Sequence, residues 1–267
     1  IIIGKFEKKY GPAIWLLNFW DKPNNSKRVV SLVRKYLPYF DGVTAYANWS
    51  GEIQREIMNE LVPVMHKEFP QKIFEAPVHN TYSVHYYHGG IPTHLSKKYR
   101  ESWDMAIEAA PDSVMITNLF DYWENSLVLP CYEREDFMLR YAQYKMAELR
   151  GQPFTAKQGP ELVLTNYIDI VIGDRRLEFE VIAFPTRSAI KNIELTVELC
   201  DASGKQLYAF PLKRLYLDKL RVAEFRIESE KFAGQRAIVP RIYYKYAGKE
   251  FRSLFNPPTL LDTSIRT

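Results

Sequence analysis

Apolar positions along this chain change their period near residue 150. Before it, short apolar runs alternate four times with stretches in which apolar residues recur every three or four positions, and after it apolar and polar residues alternate one by one. The runs Ala13 to Phe19, Gly42 to Ala47, Lys72 to Val78 and Ser113 to Asn118 read as strands, and their continuous apolarity suits burial on both faces. Between them lie helical stripes: Val29, Val30, Val33 and Leu37; then Ile53, Ile57, Leu61 and Met65; then Tyr99, Trp103, Ala106 and Ala110. A fourth stripe, with Phe137, Tyr141 and Tyr144, follows the last strand. Asn25 and Ser26 are natural starters for the first helix, and Pro63 is expected to bend or interrupt the second.

Strand-helix alternation implies a parallel sheet with right-handed crossovers. Four such units form either an open doubly wound sheet or half of an eight-unit barrel. With no Gly-rich phosphate loop in the chain, the half-barrel is the favoured reading. Residues 1–150 are therefore expected to be the last four units of a (β/α)8 barrel, followed by a linker over 151–160 containing Gly151 and Pro153. Over 161–267 the runs from Leu177, Ile193, Val222 and Ile238 alternate at period two, with turns at Gly173-Asp174, Ala202 to Gly204 and Ala247-Gly248. An immunoglobulin-like antiparallel β-sandwich of about seven strands is expected there, as a spacer or a glycan-binding module.

Composition supports two packed cores. The chain has 267 residues, 46% of them hydrophobic and 25% charged. A net charge of +4 is too mild to imply a nucleic-acid partner. The densest basic run, from Lys213 to Arg226, alternates with leucines and valine as solvated positions on half-buried strands do. Cys131 and Cys200 fall in different proposed domains, so no disulfide framework is expected. No apolar run approaches the roughly 18 residues of a membrane span. The opening Ile1-Ile2-Ile3 reads as the interior of a longer chain, and an extracytoplasmic location is expected if a leader lies upstream. Oligomeric state is not legible.

In either parallel architecture, ligands sit at the carboxyl ends of the strands. Those positions here hold Asn18, Trp20 and Asp21; Asn48 and Trp49; His79, Asn80 and Tyr82; and Asp121, Tyr122, Trp123 and Glu124. Indoles beside amides and carboxylates suit sugars, whose C–H faces pack on rings while their hydroxyls take fixed polar partners. The candidate substrate-binding set is Trp20, Asn48, Trp49, His79, Tyr82, His88 and Trp123. Asp121 and Glu124 are the candidate catalytic pair: glycosidic cleavage needs one protonated and one ionised carboxyl, and burial beside Trp123 would raise the Glu124 carboxyl as an acid requires. His79, His85, His88 and His94 crowd the third loop, where they serve as hydroxyl partners, in a purely structural role or, less favoured, as zinc ligands. No metal and no cofactor is expected. Glu75, mid-strand, would reach either the barrel interior or a basic partner, and His66 is expected at the surface.

The stretch Tyr99 to Pro130, YRESWDMAIEAAPDSVMITNLFDYWENSLVLP, resembles the final barrel strand of glycoside hydrolase families 71 and 99, the α-1,3-glucanases and endo-α-mannosidases. Those families carry a strand reading roughly I-T-x-(W/F)-N-(D/E)-(Y/W)-x-E-(S/G). Ile116 and Thr117 match its strand, Asp121 its first catalytic carboxylate, Glu124 its second, and Ser126 lies nearby. The resemblance implies that Glu124 is the general acid and that Asp121 is the base acting on water or on the sugar's own 2-hydroxyl. It implies an α-linked glucan or mannan as substrate and four further βα units upstream. Phe120 stands where the families place asparagine, and Trp123 where they place a small residue or histidine. These departures leave open a second reading, a barrel that binds glycan without cleaving it.

Overall fold

The computed structural model describes residues 2–18, 26–44, 51–79, 96–117, 136–166, 169–171 and 176–262. The chain divides into two compact units, Ile1–Val128 and Leu129–Thr267. None of the described helices is long and apolar enough to cross a membrane.

The first unit holds helices α1 (Ile2–Tyr10), α2 (Ser26–Tyr36), α3 (Gly51–Glu68) and α4 (Lys97–Glu108) and strands β1 (Leu16–Asn18), β2 (Gly42–Thr44), β3 (Ile73–His79) and β4 (Ser113–Thr117). The strands form one parallel sheet in the order β1-β2-β3-β4. Sequential order with right-handed crossovers places the connecting helices on one face, and α2 packs on α3, α3 on α4, and α4 on β3. That face is apolar. Val43, Phe74, Ala76 and Val78 are buried on it, and Phe74 meets His66 of α3 edge-on at 6.4 Å.

The opposite face is different. Reading the ladder across, Asn18, Thr44, Glu75 and Ser113 share one level, Pro77 and Met115 the next, and His79 and Thr117 the carboxyl end. The expectation of burial on both faces holds where Thr44, Pro77, His79 and Thr117 are buried on this second face, but continuous apolarity is corrected: the face mixes polar and apolar residues.

Two local features explain the register. A Cβ on Gly42 would lie 2.3 Å from the Ile73 carbonyl oxygen, so only glycine allows β2 to approach β3. Asp41 closes the turn before β2, its carboxylate accepting from the Trp15 amide at 2.7 Å while its own amide donates to the Trp15 carbonyl at 2.8 Å. Pro63 lies inside α3 without ending it. Its ring and Asn59, whose carbonyl loses a helical donor, are both on the exposed side, where water replaces the missing bond. The helix α1 was not foreseen. Ile2, Phe6 and Tyr10 line an exposed stripe along it, and Phe6 packs edge-on against Trp15 at 5.2 Å.

The second unit begins with helix α5 (Phe137–Leu149), so the division falls earlier than the expected boundary at 150. Among the described residues ten strands follow: β5 (Glu161–Asn166), β6 (Asp169–Val171), β7 (Arg176–Phe184), β8 (Asn192–Cys200), β9 (Gln206–Ala209), β10 (Lys213–Tyr216), β11 (Arg221–Glu228), β12 (Ala237–Tyr246), β13 (Lys249–Arg252) and β14 (Thr259–Asp262). One sheet runs β10-β8-β12-β14-β6, with β9 on β8 and β13 on β12, and a second runs β11-β7-β5. All pairings are antiparallel except β14 with β6. Leu195, Val197, Leu199, Ile238 and Ile242 of the first sheet and Leu164, Phe179, Val181, Phe225 and Ile227 of the second join in one core. The basic run is spent on pairs within the unit: Arg214 with Glu194, Arg221 with Asp218, and Arg226 with Glu178 and Glu224.

The segment 151–160 is fastened down. Arg140 of α5 donates to both carboxylate oxygens of Glu161 at 2.7 and 2.8 Å and to the Thr155 carbonyl, and lies over the Phe154 ring, which stacks on Phe184. Burial alone would raise the Glu161 carboxyl, but Arg140 and Lys157 outweigh that and hold it below the usual carboxylate range. Removing one partner leaves a buried charge uncompensated. Glu161→Ala is expected to destabilise the second unit by about 3 kcal/mol, read from urea denaturation.

Candidate functional site

Because the four strands are parallel, their carboxyl ends share one edge of the sheet, and the described residues that end them are Asn18, Thr44, His79 and Thr117. Of the candidate catalytic and substrate-binding residues read from sequence, only His79 lies among the described residues. Trp20, Asn48, Trp49, Tyr82, His88, Asp121, Trp123 and Glu124 lie outside them, as do His85 and His94. Among the described residues no group of three or more His, Cys, Asp or Glu could hold a metal ion.

His79 is fixed from the helix side. Its amide donates to Ser102 Oγ of α4 at 2.8 Å, Ser102 Oγ donates to Gln54 Oε1 of α3 at 3.1 Å, and Gln54 Nε2 donates to the Pro77 carbonyl at 3.0 Å. This closed chain of hydrogen bonds ties two helices to the end of one strand. All three partners are buried, so the bonds form away from competing water.

The His79 ring, by contrast, has no hydrogen-bond partner among the described residues. Its residue is 4% exposed, and neither Nδ1 nor Nε2 meets a donor or acceptor. Thr117, its ladder neighbour on β4, is equally buried, and its Oγ1 is also unpartnered. Native interiors rarely leave such groups unmatched, because each unmet donor or acceptor costs about 1–3 kcal/mol. Burial pushes the His79 imidazole down to about 3, and the nearby Lys98 charge pushes the same way. The ring is therefore neutral at pH 7, with one nitrogen donating and one accepting.

Lys98 was not foreseen. It sits in the first turn of α4 and is 8% exposed, and burial depresses its amine to about 8. Among the described residues no carboxylate lies within ion-pair distance of it. A lysine in the first turn of a helix ordinarily reads as a solvated charge, but Lys98 precedes Ser102 by four residues and so shares the buried stripe. Gln54 and Ser102 carried a signal of the same kind, being polar residues on otherwise apolar faces.

Glu75 lies on the polar face and accepts from Ser113 Oγ at 3.1 Å. Of its two expected situations, the basic partner is not found among the described residues. His66 is exposed and bonds the Ala109 carbonyl at 3.0 Å. Chemically, the strand-end edge offers a neutral imidazole, a hydroxyl and an ammonium, a set able to match hydroxyls and negative charge.

No family model matches the chain, and no curated protein matches it. Among solved structures it is similar to the GH99 endo-alpha-mannosidase of Bacteroides thetaiotaomicron, at 15% identity and TM-score 0.41, over 54% of this chain and 46% of that one. It is also similar to a Bacteroides uniformis beta-glucuronidase, at 14% identity and TM-score 0.46, over 94% of this chain and 29% of that one. The chain thus spans less than half of each enzyme, and at these values neither likeness assigns a family.

Proposed function

We propose that the chain is part of a glycoside hydrolase that cleaves an α-linked glycan, with Glu124 as general acid and Asp121 as base. In this reading the sheet β1-β2-β3-β4 is half of a (β/α)8 barrel, with the polar face lining its interior. The second unit is an immunoglobulin-like β-sandwich that accompanies it. Two features support the barrel: the connecting helices α2, α3 and α4 pack in sequence order, and β1 and β4 each leave an edge unpaired among the described residues, as strands do where further units continue a closed sheet.

The observation that carries the function is the parallel pairing of β3 and β4, with His79 opposite Thr117. The chain leaves both strands at the same edge. Asp121 and Glu124 follow Thr117 by four and seven residues, within reach of that edge, and the third loop follows His79. Paired carboxylates at strand ends, beside hydroxyl-matching groups, suit acid-base attack on an acetal. The assignment of the two carboxylates rests on the motif, which resembles both family 71 and family 99.

The test uses the intact gene product on a panel of α-glucans and α-mannans. Release of reducing ends is the expected result. Binding to a panel member without release favours the second reading, a barrel that recognises glycan and does not cut it, which Phe120 and Trp123 would explain. Neither release nor binding rejects both.

A further inference from the structure

A neutral imidazole and a hydroxyl explain recognition of sugar hydroxyls, but they leave the ammonium of Lys98, a residue only 8% exposed, unaccounted for. A cation in the first turn of a helix opposes the positive end of the helix dipole, so it is retained at some cost. The first turn of α4 contains no acidic residue, and the N-cap Ser96 makes no side-chain bond to the helix amides; its Oγ accepts from Arg100 Nε at 2.9 Å instead. Lys97 beside it has a partner in Glu101, at 3.8 Å on the exposed side, whereas Lys98 has no carboxylate among the described residues.

We infer that Lys98, His79 and Thr117 form a subsite for an acidic sugar, one that carries a carboxylate, sulfate or phosphate. The inference rests on the reading of the ligand as a glycan. His79 and Thr117 are neighbours across one ladder step, about 5 Å apart at their Cα atoms, and each presents a buried polar group without a partner. They pair with ring hydroxyls. Lys98 stands one helical turn before Ser102, whose Oγ accepts from the His79 amide, so it lies at the His79 end of β3. It supplies the opposite charge that an acidic substituent needs once removed from water. A neutral hexose would satisfy the first two groups and leave the ammonium alone; an acidic one satisfies all three.

The experiment is calorimetric titration of the intact protein with mannose, glucuronate, mannose 6-sulfate and mannose 6-phosphate, at pH 7 and low salt. At least one acidic sugar is expected to bind 10-fold or more tightly than mannose, and the strongest of the three identifies the anion. Lys98→Met abolishes that preference, Lys98→Arg keeps most of it, and His79→Leu weakens acidic and neutral sugars together. Melting curves check that each variant is folded. Equal binding of mannose and every acidic sugar, or a preference that survives Lys98→Met, overturns the subsite. The hydrolase reading fails separately: a Glu124→Gln protein is expected to keep the preference. Acidic selectivity without cleavage therefore removes the enzyme and leaves the subsite, and glycan cleavage by a protein that binds mannose and every acidic sugar equally does the reverse.

Discussion

Glu124→Gln is expected to lower turnover on the glycan about 1,000-fold with little change in KM. Proton donation to a departing alkoxide contributes roughly 100- to 10,000-fold to such reactions, and the amide keeps the shape of the side chain while holding no proton to give. Asp121→Asn is expected to fall by a similar factor, because the partner carboxylate acts in the same transition state. The double variant falls little further than either single one, since two groups serving one step do not contribute additively. Initial rates of reducing-end release at saturating substrate check all three. A Glu124→Gln enzyme with unchanged turnover would move the acid elsewhere.

The second large effect is on stability. Unfolded, the His79 imidazole takes up a proton near pH 6.5; folded, burial and the Lys98 charge hold it neutral down to about 3. Between those values the unfolded chain binds a proton that the folded chain refuses. The stability contributed is complete above pH 6.5 and declines as the pH falls, by about 2–3 kcal/mol at pH 4.5 and on the order of 4 kcal/mol near pH 3. His79→Leu removes this dependence. It also relieves two unmatched ring nitrogens, so it is expected to gain about 1 kcal/mol at pH 7 while weakening sugar binding. Urea denaturation of both proteins at pH 7 and pH 4.5 gives the comparison, and parallel losses in the two would show that His79 does not titrate as described.

The sequence announces most clearly what a buried face imposes. β7, β8, β11 and β12 alternate because one side of each meets a common core, and they were legible within a residue or two. β9 and β13 were not legible, and β10 only as part of the half-buried basic run from Lys213. They are short outer strands with mostly exposed or half-exposed side chains, and solvent imposes no period on them. The helix α1 buries none of its residues, so no burial stripe marked it apart from its opening isoleucines. The boundary at 150 followed from counting α5 with the preceding strands. What ties α5 to the second unit is long-range: Arg140 on Glu161, and Tyr144 against Phe154 and Phe184.

The candidate site was half legible for a related reason. His79 could be picked out because a strand end is a place that topology makes important. Lys98, Gln54 and Ser102 carry only a weak signal, as polar residues on otherwise apolar stripes, because helix periodicity alone reads polar residues as solvated. Asp121 and Glu124, outside the described residues, are proposed from a motif and the strand that precedes it.

The central claim is that Glu124 delivers the proton as the glycosidic bond breaks. It is tested most directly by comparing wild type and Glu124→Gln on the cleaved glycan and on the matching 2,4-dinitrophenyl glycoside, whose leaving group departs without protonation. The account predicts that the variant loses about 1,000-fold on the glycan and less than about 10-fold in the bond-breaking step on the aryl glycoside. Equal losses on the two substrates, or no loss on the glycan, would contradict it.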